Sequence, residues 1–153
     1  MQLARSAGAH VIAVAGPRSS EHLTSAGVDQ LVDHTAGEVT AAVTEPVDVV
    51  LNLAPVDPAG LAALLTLIRP GGVLVNTTVW MPAPSDEDRG VRGINLFVRS
   101  DADQLSRLVA LIDSGELRVD VARRVSLAEL PAVHADAAAG ALHGKVVVAA
   151  PGA

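Results

Sequence analysis

Five histidines, a run of three acidic residues and a scatter of hydroxyl and amide side chains are the groups in this 153-residue chain that could do chemistry. The histidines are His10, His22, His34, His134 and His143; they show no metal-ligand spacing on one helix face. The chain has no cysteine, so no thiolate can assist them. Disulfides, thiolate zinc sites, iron–sulfur clusters and cysteine nucleophiles are excluded within the chain for the same reason. Asp86, Glu87 and Asp88 lie in a stretch rich in proline, glycine and charge, where a solvated run is a plainer reading than paired catalytic carboxylates. No G-x-S-x-G elbow marks a serine nucleophile. Neither a catalytic residue nor a metal ligand is expected. What the residues alone leave is positions at the ends of apolar runs: Gly16, Arg18 and Ser19; Asn52, Leu53 and Ala54; and Thr77 and Thr78.

The elements that must carry them are legible as apolar runs at fairly regular intervals: 10–15 (HVIAVA), 47–53 (VDVVLNL), 72–79 (GVLVNTTV), 93–98 (GINLFV), 119–125 and 145–149 (KVVVA), with 30–33 (QLVD) a weaker strand. Continuous rather than alternating runs suit strands buried on both faces of a parallel sheet. Helices are expected between them. Residues 19–26 open on Ser19 and close at Gly27. Residues 58–68 open on Pro58 and stop at the Arg-Pro-Gly-Gly of 69–72. Residues 101–113 put Leu105, Leu108, Val109 and Ile112 on one face. A helix over 127–142 follows Ser126, which has capping-box spacing to Glu129. Strands alternating with helices give an α/β class: a doubly wound, mostly parallel, Rossmann-like sheet with right-handed crossovers, in one domain over 1–153. Residues 2–7 read as the tail of a helix ended at Gly8: either a helix that decorates the domain or, the sharper expectation, the sign that the chain starts partway through a strand–helix–strand unit, without a first strand and its turn. Residues 80–93 are the best candidate for a mobile surface loop.

Half of the residues are hydrophobic and 18% are charged, enough to bury a core. The longest useful apolar run, 61–68, is far short of a membrane span, and the first residues make a poor signal peptide. The net charge is −6 and the aromatic side chains are Trp80 and Phe97, so neither phosphate density nor stacking platforms for nucleic acid are present. A soluble cytoplasmic protein is expected, with no membrane and no nucleic-acid partner.

The run QLARSAGAHVIAVAGPRSSEHLTSAGVDQLVDHT, then VDVVLNLAP, LIRPGGVLVNTT, RGVRGINLFVRSDADQLSRLVALIDSGELR and VSLAELPAVHADAAAGALHGKVVVA, in that order, resembles the cofactor domain of the medium-chain dehydrogenase/reductases. The nearest branch is the zinc-independent quinone oxidoreductases. The resemblance covers about residues 2–149 and rests on the ordered set rather than on any one motif. It departs in two respects: the glycine-rich turn that cradles a pyrophosphate should precede QLAR, and the family's substrate domain should precede that. The chain therefore reads as roughly the second half of such an enzyme, whether a truncated frame, half of a split protein or a shortened homologue.

The resemblance implies NADP as cofactor. No acid stands at the end of the 10–15 strand to take adenosine ribose hydroxyls. Gly16 does, followed by Arg18 and Ser19, which can pair with a 2′-phosphate; an ordinary turn with a solvated arginine is the plainer alternative. His34 is implied near the adenosine phosphate, against a surface loop histidine. Asn52, Leu53 and Ala54 are implied at the nicotinamide ribose, Thr77 and Thr78 at the ribose or carboxamide, Phe97, Val98 and Arg99 near the carboxamide, and Lys145 near the phosphates. Turn capping, strand propensity and core packing account equally for several of these. The implied function is an NADP-dependent oxidoreductase acting on a small-molecule substrate, in which the cofactor carries the hydride and few acid–base groups are needed. The alternative is a non-redox small-molecule-binding or partner-binding module built on the same fold. An exposed sheet edge and the apolar stretch 61–68 lead to the expectation of a homodimer or a complementary chain.

Overall fold

A computed structural model describes residues 1–150 except Val79 and His143, so the expected strand end at Val79 and the histidine at 143 lie outside the described residues. The chain divides into two compact units, Met1–Ser100 and Asp101–Ala153.

The first unit runs α1 (Gln2–Ser6), β1 (Ile12–Ala15), a 3-10 turn (Pro17–Ser19), α2 (Ser20–Ser25), β2 (Gln30–Asp33), α3 (Val39–Ala42), β3 (Val47–Asn52), α4 (Pro58–Ala63), a 3-10 turn (Leu64–Leu67), β4 (Ile68–Asn76) and β5 (Arg92–Asn95). Every strand pair in it is parallel: β1 with β2, and β3 with β4 with β5. This is the α/β, Rossmann-like alternation expected. The strands do not join into one hydrogen-bonded sheet, however. β1 and β2 form one ladder and β3–β4–β5 another, which leaves β1 and β3 each with an open edge. The core is nonetheless continuous. Leu61, Ile68, Leu74, Met81 and Val91 are buried together, Val32, Val43 and Leu67 form a second cluster, and Val47 and Leu64 pack against both. Each fully buried aliphatic side chain contributes roughly 2 kcal/mol.

The 58–68 segment shows how local chemistry redirects the chain. Asp57 accepts the Gly60 N–H at 2.7 Å and Pro58 sits at the first helical position, which starts α4 as expected. The helix ends at Ala63, and Ile68 already belongs to β4. The Arg-Pro-Gly-Gly stretch read as a terminator lies inside that strand, as an irregularity in which pairing passes from Val47–Ile68 to Val49–Val73. A Cβ at Gly72 would stand 2.4 Å from the Ile68 Cγ2 and 2.7 Å from the Asp48 carbonyl oxygen, so only glycine lets β4 press on β3 there.

Residues 80–93 are tied down rather than loose. Asp86 and Val91 exchange backbone hydrogen bonds at 2.9 and 2.8 Å. Arg89 donates to the Leu65 and Ile68 carbonyls and to Asp86, and the Ser85 hydroxyl accepts the Gly93 N–H at 2.9 Å.

In the second unit Asp101 caps α5 (Ala102–Asp113) by accepting the Gln104 N–H at 3.0 Å. Then come β6 (Val121–Ser126), a 3-10 turn (Leu127–Glu129), α6 (Leu130–Ala138) and β7 (Lys145–Ala149), with β6 and β7 parallel. The capping box forms: Glu129 accepts both the backbone N–H and the hydroxyl of Ser126 at 2.8 Å. These bonds, the N–H first, hold the Glu129 carboxyl below its ordinary pKa. The helix expected over 127–142 thus splits into a 3-10 turn and α6.

Candidate functional site

All strands of a parallel ladder point their carboxyl ends to one side, and ligands of open α/β sheets bind there. In the first unit those ends make two rims.

At the end of β1 the chain leaves through Gly16 in extended conformation and enters the Pro17–Ser19 turn. His34, whose N–H donates to the Ala15 carbonyl at 3.3 Å, is the neighbour across the ladder. A Cβ on Gly16 would come 3.4 Å from His34 Nε2, so the missing side chain leaves a small cradle between strand end and imidazole. Arg18, Ser19 and His34 are exposed around it. Ser19 makes no side-chain cap bond to α2, contrary to the capping expected of it; the Ser20 hydroxyl instead donates to the Pro17 carbonyl at 2.7 Å. One acidic group near this rim escaped the sequence reading. Asp33, in register with Ala15, ends β2. Its carboxyl is held below its ordinary pKa, first by the Thr35 hydroxyl at 2.7 Å and then by the Thr35 N–H at 2.8 Å.

The second rim joins the ends of β3, β4 and β5. Asn52, Asn76 and Asn95 stand in register as the last residues of the three strands. Asn52 Nδ2 donates to Asn76 Oδ1 at 2.9 Å and to the Ala54 carbonyl at 3.0 Å. The Thr77 N–H and hydroxyl both donate to the Asn52 carbonyl, at 3.2 and 3.1 Å. The Thr78 hydroxyl donates to Asn76 Oδ1 at 2.8 Å. The structure therefore brings Asn52, Thr77 and Thr78 together, with their polar atoms bonded among themselves. What it exposes above them is apolar: Leu53, Trp80, Phe97 and Val98 are 68% or more exposed. Ala54 and Arg99 are exposed as well. Lys145 belongs to the second unit, where it opens β7 as an exposed residue.

Asn76 and Asn95 are residues the sequence reading missed. An asparagine next to threonines at a strand end looks like turn chemistry, and its partner Asn52 lies 24 positions away. The one available signal was the recurrence of an asparagine inside three successive apolar runs, 47–53, 72–79 and 93–98.

Comparison with known proteins places these observations. The profile of the zinc-binding dehydrogenase family matches residues 26–148. Among curated proteins, the spectinabilin polyketide synthase system protein NorB of Streptomyces orinoci is 34% identical over 165 aligned residues, covering 99% of this chain but 8% of that protein. Among solved structures, the quinone oxidoreductase from Coxiella burnetii superposes with a TM-score of 0.83 at 24% identity, over 96% of this chain and 47% of that one. An NAD-dependent alcohol dehydrogenase gives 0.80 at 19%, over 96% and 46%, and the CurK enoyl reductase 0.75 at 23%, over 98% and 50%. The chain spans at most half the length of each of these relatives. At such identities the structural likenesses establish the fold alone, a Rossmann-like α/β domain.

Proposed function

The chain belongs to the zinc-binding dehydrogenase family, and on that premise we propose that its two rims hold the two ends of NADP in an oxidoreductase acting on a small molecule. The observation that carries this is the β1 rim: a glycine cradle beside His34, with Arg18 and Ser19 exposed next to it and no carboxylate at the strand end itself. There Arg18 pairs with a 2′-phosphate, Ser19 adds a hydroxyl, and Gly16 lets the ribose approach the backbone. At the second rim the main chain of Leu53 and Ala54, with Thr77 and Thr78, faces the nicotinamide ribose, and Phe97 and Val98 flank the ring. When bound, the cofactor supplies the hydride; the side chains orient it and exclude water. Neighbours whose names contain NAD-dependent dehydrogenase and enoyl reductase support a pyridine nucleotide and a reductive role. The chemistry is read as independent of zinc from the resemblance to the zinc-independent quinone oxidoreductases. Among the described residues no helix is long and apolar enough to cross a membrane; a cytoplasmic setting completes the reading.

Calorimetric titration with NADPH and NADH tests it. NADPH is expected to bind more tightly, and Arg18→Ala to reduce that preference by about tenfold, the value of one charge-assisted contact. No binding of either nucleotide at millimolar concentration sinks the proposal, and an unchanged preference in Arg18→Ala removes the 2′-phosphate role.

A partner chain, either a second copy or a complementary segment, belongs to the same proposal. It is supported by the open edges of β1 and β3 and by Val49 and Leu51 of β3, which are 55% and 54% exposed.

A further inference from the structure

Asparagine is a poor strand residue, so three in register across neighbouring strands call for a reason other than sheet stability. Their hydrogen bonds supply one. Asn76 is 1% exposed, and its Nδ2 donates to the Met81 carbonyl at 2.7 Å and to the Thr78 carbonyl at 3.2 Å. Asn95 Oδ1 accepts the Ala83 N–H at 2.8 Å. Both side chains thus act on the residues around Trp80: Thr78 before it, Met81 and Ala83 after it. Gly93 reinforces the grip, since a Cβ there would stand 2.3 Å from the Pro84 carbonyl oxygen and 2.6 Å from that of Ala83. Between these anchors Trp80 is 71% exposed, although Met81 beside it is buried. The indole thus lies open to contact while Thr78, Met81 and Ala83 are each bonded to a strand-end asparagine.

We propose that Asn76 and Asn95 are positioning residues that fix the Trp80 segment over the carboxyl ends of β3, β4 and β5, and that the Trp80 indole is a wall met by the nicotinamide end of a bound dinucleotide. The second clause rests on the NADP reading; the first does not.

Trp80 is the chain's single tryptophan, so its emission reports this segment without a label. Asn76→Asp keeps the shape and the acceptor but replaces the amide donor by an oxygen. Ionised, that oxygen opposes the Met81 and Thr78 carbonyls; protonated, it can donate to one of them. The expected result is a Trp80 emission and acrylamide quenching that differ from wild type at neutral pH and return toward it on acidification, with unchanged far-ultraviolet circular dichroism. Asn95→Ala is expected to alter quenching without that pH dependence. Folded variants with wild-type emission and quenching at every pH overturn the positioning role. If Asn76→Asp does not fold, Thr78→Val, which removes one bond to Asn76 Oδ1, is read together with Asn95→Ala by the same criterion. With NADPH, energy transfer from Trp80 to the reduced nicotinamide is expected, with affinity several-fold weaker in Asn76→Asp at neutral pH. Calorimetric binding without transfer refutes the wall and leaves the NADP reading intact. No binding at all refutes the NADP reading, and Trp80 emission still decides the role of the asparagines.

Discussion

Asp29 joins two pieces of chain through one carboxylate. It accepts the Val11 N–H at 2.8 Å and pairs with Arg5 Nη1 at 2.6 Å, fastening α1 to the strand that follows it. These bonds, the Val11 N–H first and Arg5 second, hold its pKa below the ordinary 3.8. A carboxyl whose pKa is lower folded than unfolded lends its full stability above the unfolded value and loses it as the pH falls through the folded one. Acid unfolding below about pH 4 is therefore expected to include this site, and Asp29→Asn to flatten that part of a circular-dichroism profile against pH. Positions such as Gly16, Asn52 and Thr78 were legible because a residue near or just past the end of an apolar run lands by a strand's carboxyl end whatever the tertiary detail. How they use their polar atoms was not. Asn52 and Thr78 turn theirs inward to Asn76, a pairing that exists only once β3 and β4 lie side by side.

Elements were readable where local chemistry and burial agree. The parallel strands followed from continuous apolar runs, and α5 from Asp101 and its stripe. The capping box followed from Ser126 and Glu129. Residues 69–72 were misread because Pro-Gly-Gly is a breaker by propensity, whereas the contact with β3 needs a position without a Cβ. The short helix α3 went unseen because no side chain caps it. Two substitutions test the elements. Gly93→Ala drives a methyl into the Ala83 and Pro84 carbonyls, backbone atoms that cannot swing aside, and is expected to destabilise by about 2–3 kcal/mol in urea unfolding. Leu74→Ala, at a residue with 0% exposure in the central strand, is expected to cost about 2–5 kcal/mol by the cavity it leaves.

At the scale of the whole molecule, burial is uneven. On one side of β3 Val50 packs against the cluster of Leu61, Ile68 and Leu74, while Val49 and Leu51 alternate with it and stay about half exposed. Such a face favours association. Light scattering is expected to show self-association that Leu51→Lys reduces; a monomer at every concentration would count against a second copy on this face. None of this was visible in the sequence beyond the expectation of an open edge, because apolar runs do not say which of their two faces a neighbour will cover.

Among the described residues of the first unit, β4 alone has a strand on each side. Its amides and carbonyls have a hydrogen-bonding strand on either side, whereas β1, β2, β3 and β5 are each paired on one side only. Isotope exchange should therefore proceed in order, with the flanks of the open edges labelled early and the stretch around Leu74 last. The deuterium clock of this chain then runs outward from one strand, and a polypeptide that fills the opening would slow it first at β1 and β3.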